Sequence, residues 1–283
     1  MTTPAQAAAG ARHGGPGAGT DVVLGIDIGG SAVKGAPVET ATGRLAGARH
    51  EVATPDPATP DALGDAVAEV VRRAGWSGPV GCAFPGVVKD GRTLTAANLH
   101  PGWEGLHAEA VLGERTGCPV VVMNDADAAG LAEVRVGAAA GHRGVVLLLT
   151  LGTGIGSALL CDGRLVPNTE FGQLPLGDRP AEQRASARVR RERNLDWPAY
   201  AALVDEYLAV VETVLWPDLL VIGGGVSAEA AHWFHLLHAR APIVPARLAN
   251  DAGIVGAALW AAATLTATAG HEGRVVTDQA GGS

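Results

Sequence analysis

The sequence predicts an α/β protein on three observations. Short β-branched or Leu-rich runs alternate with helical patterns, each such run stops at a glycine cluster or a polar turn, and one strand–turn–strand pattern occurs twice. The first run, Val22 to Ile28, stops at a Gly-Gly pair, and a helical pattern follows from Asp61 to Ala74. A second run, Pro119 to Met123, stops at Asn124, where the pattern Asp125 to Gly137 begins. The third, Gly144 to Leu151, stops at Gly152-Thr-Gly. Tyr200 to Leu215 carries Leu203, Val204, Tyr207, Leu208, Val211 and Leu215 at helical spacing, and the fourth run, Asp218 to Ile222, stops at three glycines. Gly253 to Thr264 reads as a buried helix, because its Ala and Gly content and short length disfavour a membrane span.

The repeated pattern suggests two lobes. Ile26-Asp-Ile-Gly-Gly-Ser-Ala32 is followed by Gly43-Arg-Leu, and Leu151-Gly-Thr-Gly-Ile-Gly-Ser-Ala158 by Gly163-Arg-Leu. With 40 glycines in the chain, chance similarity is the competing explanation. A duplicated lobe would set the two glycine turns facing each other across a cleft. The expected division is a tail over 1–20, a first lobe over 21–123, a second over 124–270 and a tail over 271–283, with the final helix able to cross back onto the first lobe.

Composition narrows the function classes. At 283 residues and 47% apolar content the chain can fill an extended core, so disorder of the whole chain is excluded. A formal charge of −8 repels nucleic acid and anionic membrane but leaves small neutral substrates unaffected. Cys82, Cys118 and Cys161 stand far apart, which argues against a disulfide framework and against a zinc site. The Ala/Gly/Pro-rich opening stretch has no apolar core of a signal peptide, so a reducing cytoplasm is expected.

Six groups of residues carry candidate chemistry. In the first turn, Gly29 and Gly30 let the backbone approach a ligand; Ser31 and Lys34 could donate to a transferred phosphate, and Asp27 could hold Mg²⁺ directly or through water. A tight hairpin with a capping Asp is the plainer alternative. In the second turn, Thr150, Gly152, Thr153, Gly154 and Gly156 follow a strong strand and could cradle further phosphates. A dinucleotide fingerprint fits poorly there, since no helix start follows. Asn124-Asp125-Ala-Asp127 lies where a strand passes into a helix; one such residue suffices as a cap, and Asp125 could accept the proton of a hydroxyl attacking phosphorus. Asn98, Glu170 and Gln173 could bind sugar hydroxyls, or simply be solvated. Gly224 and Gly225, in the third glycine run, could pass a nucleotide base or turn the chain toward a helix. Arg184, Arg188, Arg190, Arg191 and Arg193 form the one dense basic cluster, either a solvated helix face balanced by Glu182 and Glu192 or a track for polyphosphate.

Taken together, Gly25-Ile-Asp-Ile-Gly-Gly-Ser31, Thr95-Ala-Ala-Asn98, Asn124-Asp-Ala-Asp-Ala-Ala-Gly-Leu-Ala-Glu133, Thr150-Leu-Gly-Thr-Gly-Ile-Gly-Ser-Ala158, Val166-Pro-Asn-Thr-Glu170 and Pro217-Asp-Leu-Leu-Val-Ile-Gly-Gly-Gly-Val-Ser227 resemble the ROK family of sugar kinases, and within it the polyphosphate-dependent glucokinases. The resemblance runs from Gly25 to about Ala262. It implies an actin-like ATPase (ribonuclease H-like) fold, two lobes around a central cleft, usually as a homodimer. It further implies Asp125 as base for the 6-hydroxyl of glucose, with Asn98, Asn124 and Glu170 on other hydroxyls and Glu182 as a further sugar ligand. The glycine turns would hold polyphosphate or ATP with Mg²⁺, and the missing Cys-rich motif after Glu170 implies no zinc. Two departures stand out: Gln173 where a His is usual, and His100-Pro-Gly-Trp-Glu104 where the polyphosphate branch carries a Lys. An ATP-dependent kinase for another hexose such as mannose, or a non-catalytic regulator, are the rival expectations. Regulators of this family carry a helix-turn-helix ahead of the first strand, and only a short Ala/Gly-rich stretch stands there in this sequence.

Overall fold

The computed structural model describes residues 22–96 and 99–275. The expected tail over 1–20, and Asn98, lie outside the described residues. The first lobe runs β1 (Val22–Ile28), β2 (Ala32–Glu39), β3 (Arg44–Leu45), β4 (His50–Ala53), α1 (Pro60–Arg73), β5 (Val80–Phe84), β6 (Val88–Lys89), β7 (Arg92–Thr93), α2 (Ala108–Thr116) and β8 (Val120–Asn124). The linking helix α3 (Asp125–Val136) leads to β9 (Val145–Leu151), β10 (Ile155–Cys161), β11 (Arg164–Val166), β12 (Pro175–Leu176) and β13 (Arg179–Pro180). Then come α4 (Glu182–Ala185), α5 (Ala187–Glu192), α6 (Trp197–Val214), β14 (Leu219–Gly223), α7 (Ala230–Trp233), β15 (Ile243–Pro245) and α8 (Ala252–Val275).

The two large sheets repeat one topology. The first is ordered β3-β2-β1-β5-β8 and the second β11-β10-β9-β14-β15. In each, an antiparallel meander (β1–β2–β3; β9–β10–β11) is extended on the other side by two parallel strands. The twofold strand–turn–strand pattern of the sequence is therefore a true structural repeat. β5, β8 and β14 are buried along their whole length, the condition under which parallel strands become continuous apolar runs rather than alternating ones.

Caps set the helix starts. The Asp196 side chain accepts from the Ala199 N–H at 2.9 Å, and Pro198 stands in the first turn, so α6 begins before the expected Tyr200. The Thr59 hydroxyl caps α1 in the same way at 3.3 Å. Helix α8 continues to Val275, inside the stretch 271–283 expected as a tail.

Helix α8 packs against β1, β5 and α3, with Ile254, Ala257, Ala258 and Ala261 fully buried. Three glycines make that approach possible. A Cβ at Gly25 of β1 would run into the Ile254 carbonyl, one at Gly81 of β5 into that of Ala257, and one at Gly256 of α8 into that of Ala128. The helix thus lies with its backbone against its neighbours, a spacing that no larger residue permits. Among the described residues no helix is long and apolar enough to cross a membrane.

Candidate active site

A cleft of about 760 Å³ lies between the two lobes. One wall is the β1–β2 turn with Gly29, Gly30 and Ser31, and the other is the β9–β10 turn with Thr150, Gly152, Thr153, Gly154 and Gly156. Asn124 and Asp125, at the passage from β8 to α3, also line it, and so do Glu170, Gln173 and Glu182. Residues far apart in sequence therefore converge on one space.

Both turns are built by local chemistry. The Gly29 N–H donates to the Ala32 carbonyl at 3.0 Å, and the Thr54 hydroxyl to the Gly29 carbonyl at 2.5 Å, fixing the first turn against β4. In the second, the Gly152 N–H donates to the Gly154 carbonyl and the Arg188 N–H to the Gly152 carbonyl, each at 3.0 Å. A Cβ at Gly156 would collide with the Thr150 hydroxyl and Ala126, so only glycine brings β10 this close to α3. The turn joins two antiparallel strands, which accounts for the absence of a helix start after it.

Asn124 is the helix cap. Its Oδ1 accepts from the Asp127 N–H at 2.9 Å and its Nδ2 donates to the Gly86 carbonyl at 3.0 Å, so most of its amide is spent on the protein. Asp125 is thereby released from capping. Its Oδ1 accepts from the Ala126 N–H at 2.8 Å. Burial, then the charge of Asp27 and, to a smaller extent, that of Glu170, pushes its carboxyl up to about 7 against opposing backbone hydrogen bonds. A carboxyl titrating near neutrality in a cleft is suited to proton transfer.

Asp27 stands beside this group at the end of β1, opposite Lys34 in the β1–β2 register. Burial raises its carboxyl above the ordinary range, and Lys34 partly opposes that. Neither Asp27 nor Lys34 lines the cleft itself. Glu170 is raised by burial and then by the charge of Glu182, which places those two carboxylates together on the second-lobe wall. Gly224 and Gly225 lie off the cleft: Gly224, at φ 81°, follows β14 where a Cβ would strike the Leu151 carbonyl. Their role in the fold is the turn out of β14.

The arginine cluster does not line the cleft either. Arg184 pairs with Glu206 at 3.1 Å, Arg188 lies 3.9 Å from Glu192, and Arg190 stacks 3.6 Å over the Trp197 ring. The solvated and paired reading of these arginines is the one the fold supports, though Glu182 serves the cleft rather than the cluster.

Sequence reasoning missed one linkage. Asn168, at φ 59°, clamps Val88 of the first lobe, its Oδ1 accepting from the Val88 N–H at 2.9 Å and its Nδ2 donating to the Val88 carbonyl at 2.8 Å. The Asn168 N–H in turn donates to Asp127 Oδ2 at 2.7 Å. This ties both lobes to the loop that carries Glu170, a contact across 80 residues that no local signal announces. It also missed Gly86 and Thr95 on the first-lobe wall, where the Phe84-Pro-Gly86 strand end was the available signal.

Asp127 is 2% exposed and its carboxyl is pushed up to about 7, chiefly by burial. The unfolded-state value is near 3.8, so the folded protein holds this proton over a range where the unfolded chain has released it. That stabilisation is complete below about pH 4 and is lost as pH rises through about 7. Urea midpoints of the free protein should therefore fall across that window, and less steeply for Asp127→Asn; parallel curves would exclude Asp127 as the cause.

The ROK family model matches residues 23–174. Polyphosphate glucokinase of Mycobacterium tuberculosis (strain H37Rv) is 49% identical over 244 residues, covering 86% of this chain and 92% of that protein. The structure resembles the inorganic polyphosphate/ATP-glucomannokinase from Arthrobacter sp. strain KM, with TM-score 0.83 and 46% identity over 86% of this chain and 99% of that one. It also resembles a ROK family glucokinase from Streptomyces griseus in complex with glucose and AMPPNP, with TM-score 0.72 and 27% identity over 85% and 99% of the two chains.

Proposed function

The chain belongs to the ROK family, and on that basis we propose that it is a glucokinase transferring a phosphoryl group from inorganic polyphosphate to the 6-hydroxyl of glucose. The observation that carries this reading is Asp125, set at the passage from β8 to α3 between two glycine turns on opposite lobes. The hydroxyl oxygen attacks the terminal phosphorus as its proton passes to Asp125. The bond to the bridging oxygen breaks, and the shortened chain leaves with that oxygen. Both turns offer the close backbone approach that a chain of phosphates needs, and Ser31, Thr150 and Thr153 add hydroxyl donors.

Glu170, Glu182 and Gln173 are the side chains proposed to hold the sugar's other hydroxyls, with Asn124 completing that wall. Asn98 is proposed for the same task from the sequence alone. The pair Asp27 and Asp125 fits Mg²⁺: the charge of Asp27 helps raise the buried Asp125 carboxyl, and a divalent cation near them would relieve that repulsion. Among the described residues no three ligating side chains come together as a complete cage. Mg²⁺ ordinarily needs only one or two carboxylates alongside the substrate's phosphates, which Asp27 would supply. When bound, the ion neutralises donor phosphate charge.

ATP is proposed as an alternative or second donor, since the similar Arthrobacter enzyme is named for both, and mannose as an additional acceptor for the same reason. A cytoplasmic homodimer completes the proposal. The test is purified protein with Mg²⁺ and glucose or mannose, offered polyphosphate or ATP in turn, with sugar phosphate measured. Product with polyphosphate is the expected result; no product with either donor on any common hexose would overturn the kinase reading.

Gln173 gives a sharper test of the acceptor site. It lines the cleft just after Glu170, and its amide keeps a donor and an acceptor but cannot ionise as a His can. Gln173→His should change hexose affinity or the glucose-to-mannose ratio of kcat/KM. Identical kinetics on both sugars would remove Gln173 from recognition.

A further inference from the structure

At the far end of α3 from Asp125, a second cavity of about 410 Å³ is lined by Arg135, Arg143, Arg164, His142 and Asp162. Ten residues of helix separate Asp125 from Arg135, so this cavity opens about 15 Å away along the helix axis. Its walls come from three pieces of chain: the end of α3, the loop before β9, and the β10–β11 hairpin. Asp162 at φ 49° and Gly163 at φ 75° make that hairpin a tight two-residue turn, which sets Arg164 directly opposite Cys161.

Three arginines without a carboxylate partner among the described residues line this one cavity. Arg49, Arg72, Arg73, Arg115, Arg179, Arg184, Arg188 and Arg240 all face a carboxylate. Among the described residues, Arg135, Arg143 and Arg164 form no ion pair, in a protein that carries an excess of acidic residues overall. The carboxylate lining the cavity, Asp162, already accepts from the Gly144 N–H at 2.9 Å, and Asp218, behind the same loop, accepts from the Val145 N–H at 2.7 Å. His142 adds a ring whose Nε2 is shielded from solvent and has no hydrogen-bond partner. A buried donor left unmade is costly, and a small ring rotation toward an anion would satisfy it without breaking an existing bond. Arginine forks match phosphate oxygens in geometry as well as charge, and a cavity of this size takes a small molecule rather than a lone ion.

We propose that this cavity, formed by Arg135, Arg143, Arg164 and His142, is a second anion site that binds a small phosphate-bearing molecule remote from the catalytic cleft. It is separate from the donor turns, and its occupancy stands or falls independently of the kinase reading. Two sources share the chemistry: a short inorganic phosphate chain and a phosphorylated sugar.

Tripolyphosphate, glucose 6-phosphate and, as control, sulfate are titrated into the full chain, with hydrogen exchange of residues 139–144 and 161–164 as the local readout. Tripolyphosphate or glucose 6-phosphate should slow exchange there. An Arg143→Gln/Arg164→Gln variant should require at least tenfold more ligand for the same protection, His142→Ala several-fold more, and the double variant should keep its thermal midpoint. The ligand effective at lower concentration identifies the source. Exchange unaffected by both phosphates, protection unchanged in both variants, or sulfate as effective as the phosphates would each overturn the proposal.

Discussion

Turnover by an Asp125→Asn variant is expected to fall by about 10²–10⁴-fold with sugar binding retained, because removal of a positioned general base has that magnitude. The substitution is well suited to the question. Asn124, not Asp125, caps α3, and an Asn at 125 can still accept from the Ala126 N–H, so the start of the helix survives. Loss of the ionisable carboxyl is then the main change. The pH profile supplies a second reading of the same group: a carboxyl raised to about 7 is protonated and idle as base below that pH, so kcat/KM should drop as pH falls through about 7. Stopped assays across pH and calorimetric binding of glucose would measure both. Near-normal turnover in the variant would remove Asp125 from the role of base.

The largest structural effect is expected from Gly81→Ala. A methyl there meets the Ala257 carbonyl of α8, a backbone atom that cannot turn aside as a side chain can. Overpacked sites cost about 1–3 kcal/mol, and a backbone obstacle puts this one toward the upper end. For a chain of 283 residues that corresponds to a thermal midpoint lower by roughly 3–5 °C. Gly30→Ala is the control, because a Cβ at Gly30 meets nothing within 4 Å. Equal midpoints for the two variants, measured by calorimetry, would show that α8 has room to lift from β5.

The acid cluster in the cleft was only partly legible beforehand. Asp125 could be singled out from its place after a strand, but its environment could not: the charge of Asp27 reaches it from another lobe element, and Glu182 reaches Glu170 from α4. The arginine cluster shows the reverse case. Its density in the sequence fitted either a solvated helix face or a phosphate track, and the chain folds Arg184 onto Glu206 and Arg190 onto Trp197, off the cleft lining. Density of charge is a sequence property; the direction of a side chain depends on packing.

The sequence by itself determined the α/β class, the duplicated strand–turn–strand halves, both glycine turns and the position of the candidate base. Each depends on interactions within a few residues: glycine's freedom at a turn, a cap at a helix start, or an apolar run that must be buried on both faces. Tertiary structure alone decided the rest. It brought Asn168 to Val88 across the lobes, pressed α8 against Gly25 and Gly81, assigned the cap to Asn124, and gathered three unpaired arginines at the far end of α3. These contacts join segments tens of residues apart, and their geometry follows from how two sheets and the helices between them fill space. No local pattern encodes that distance.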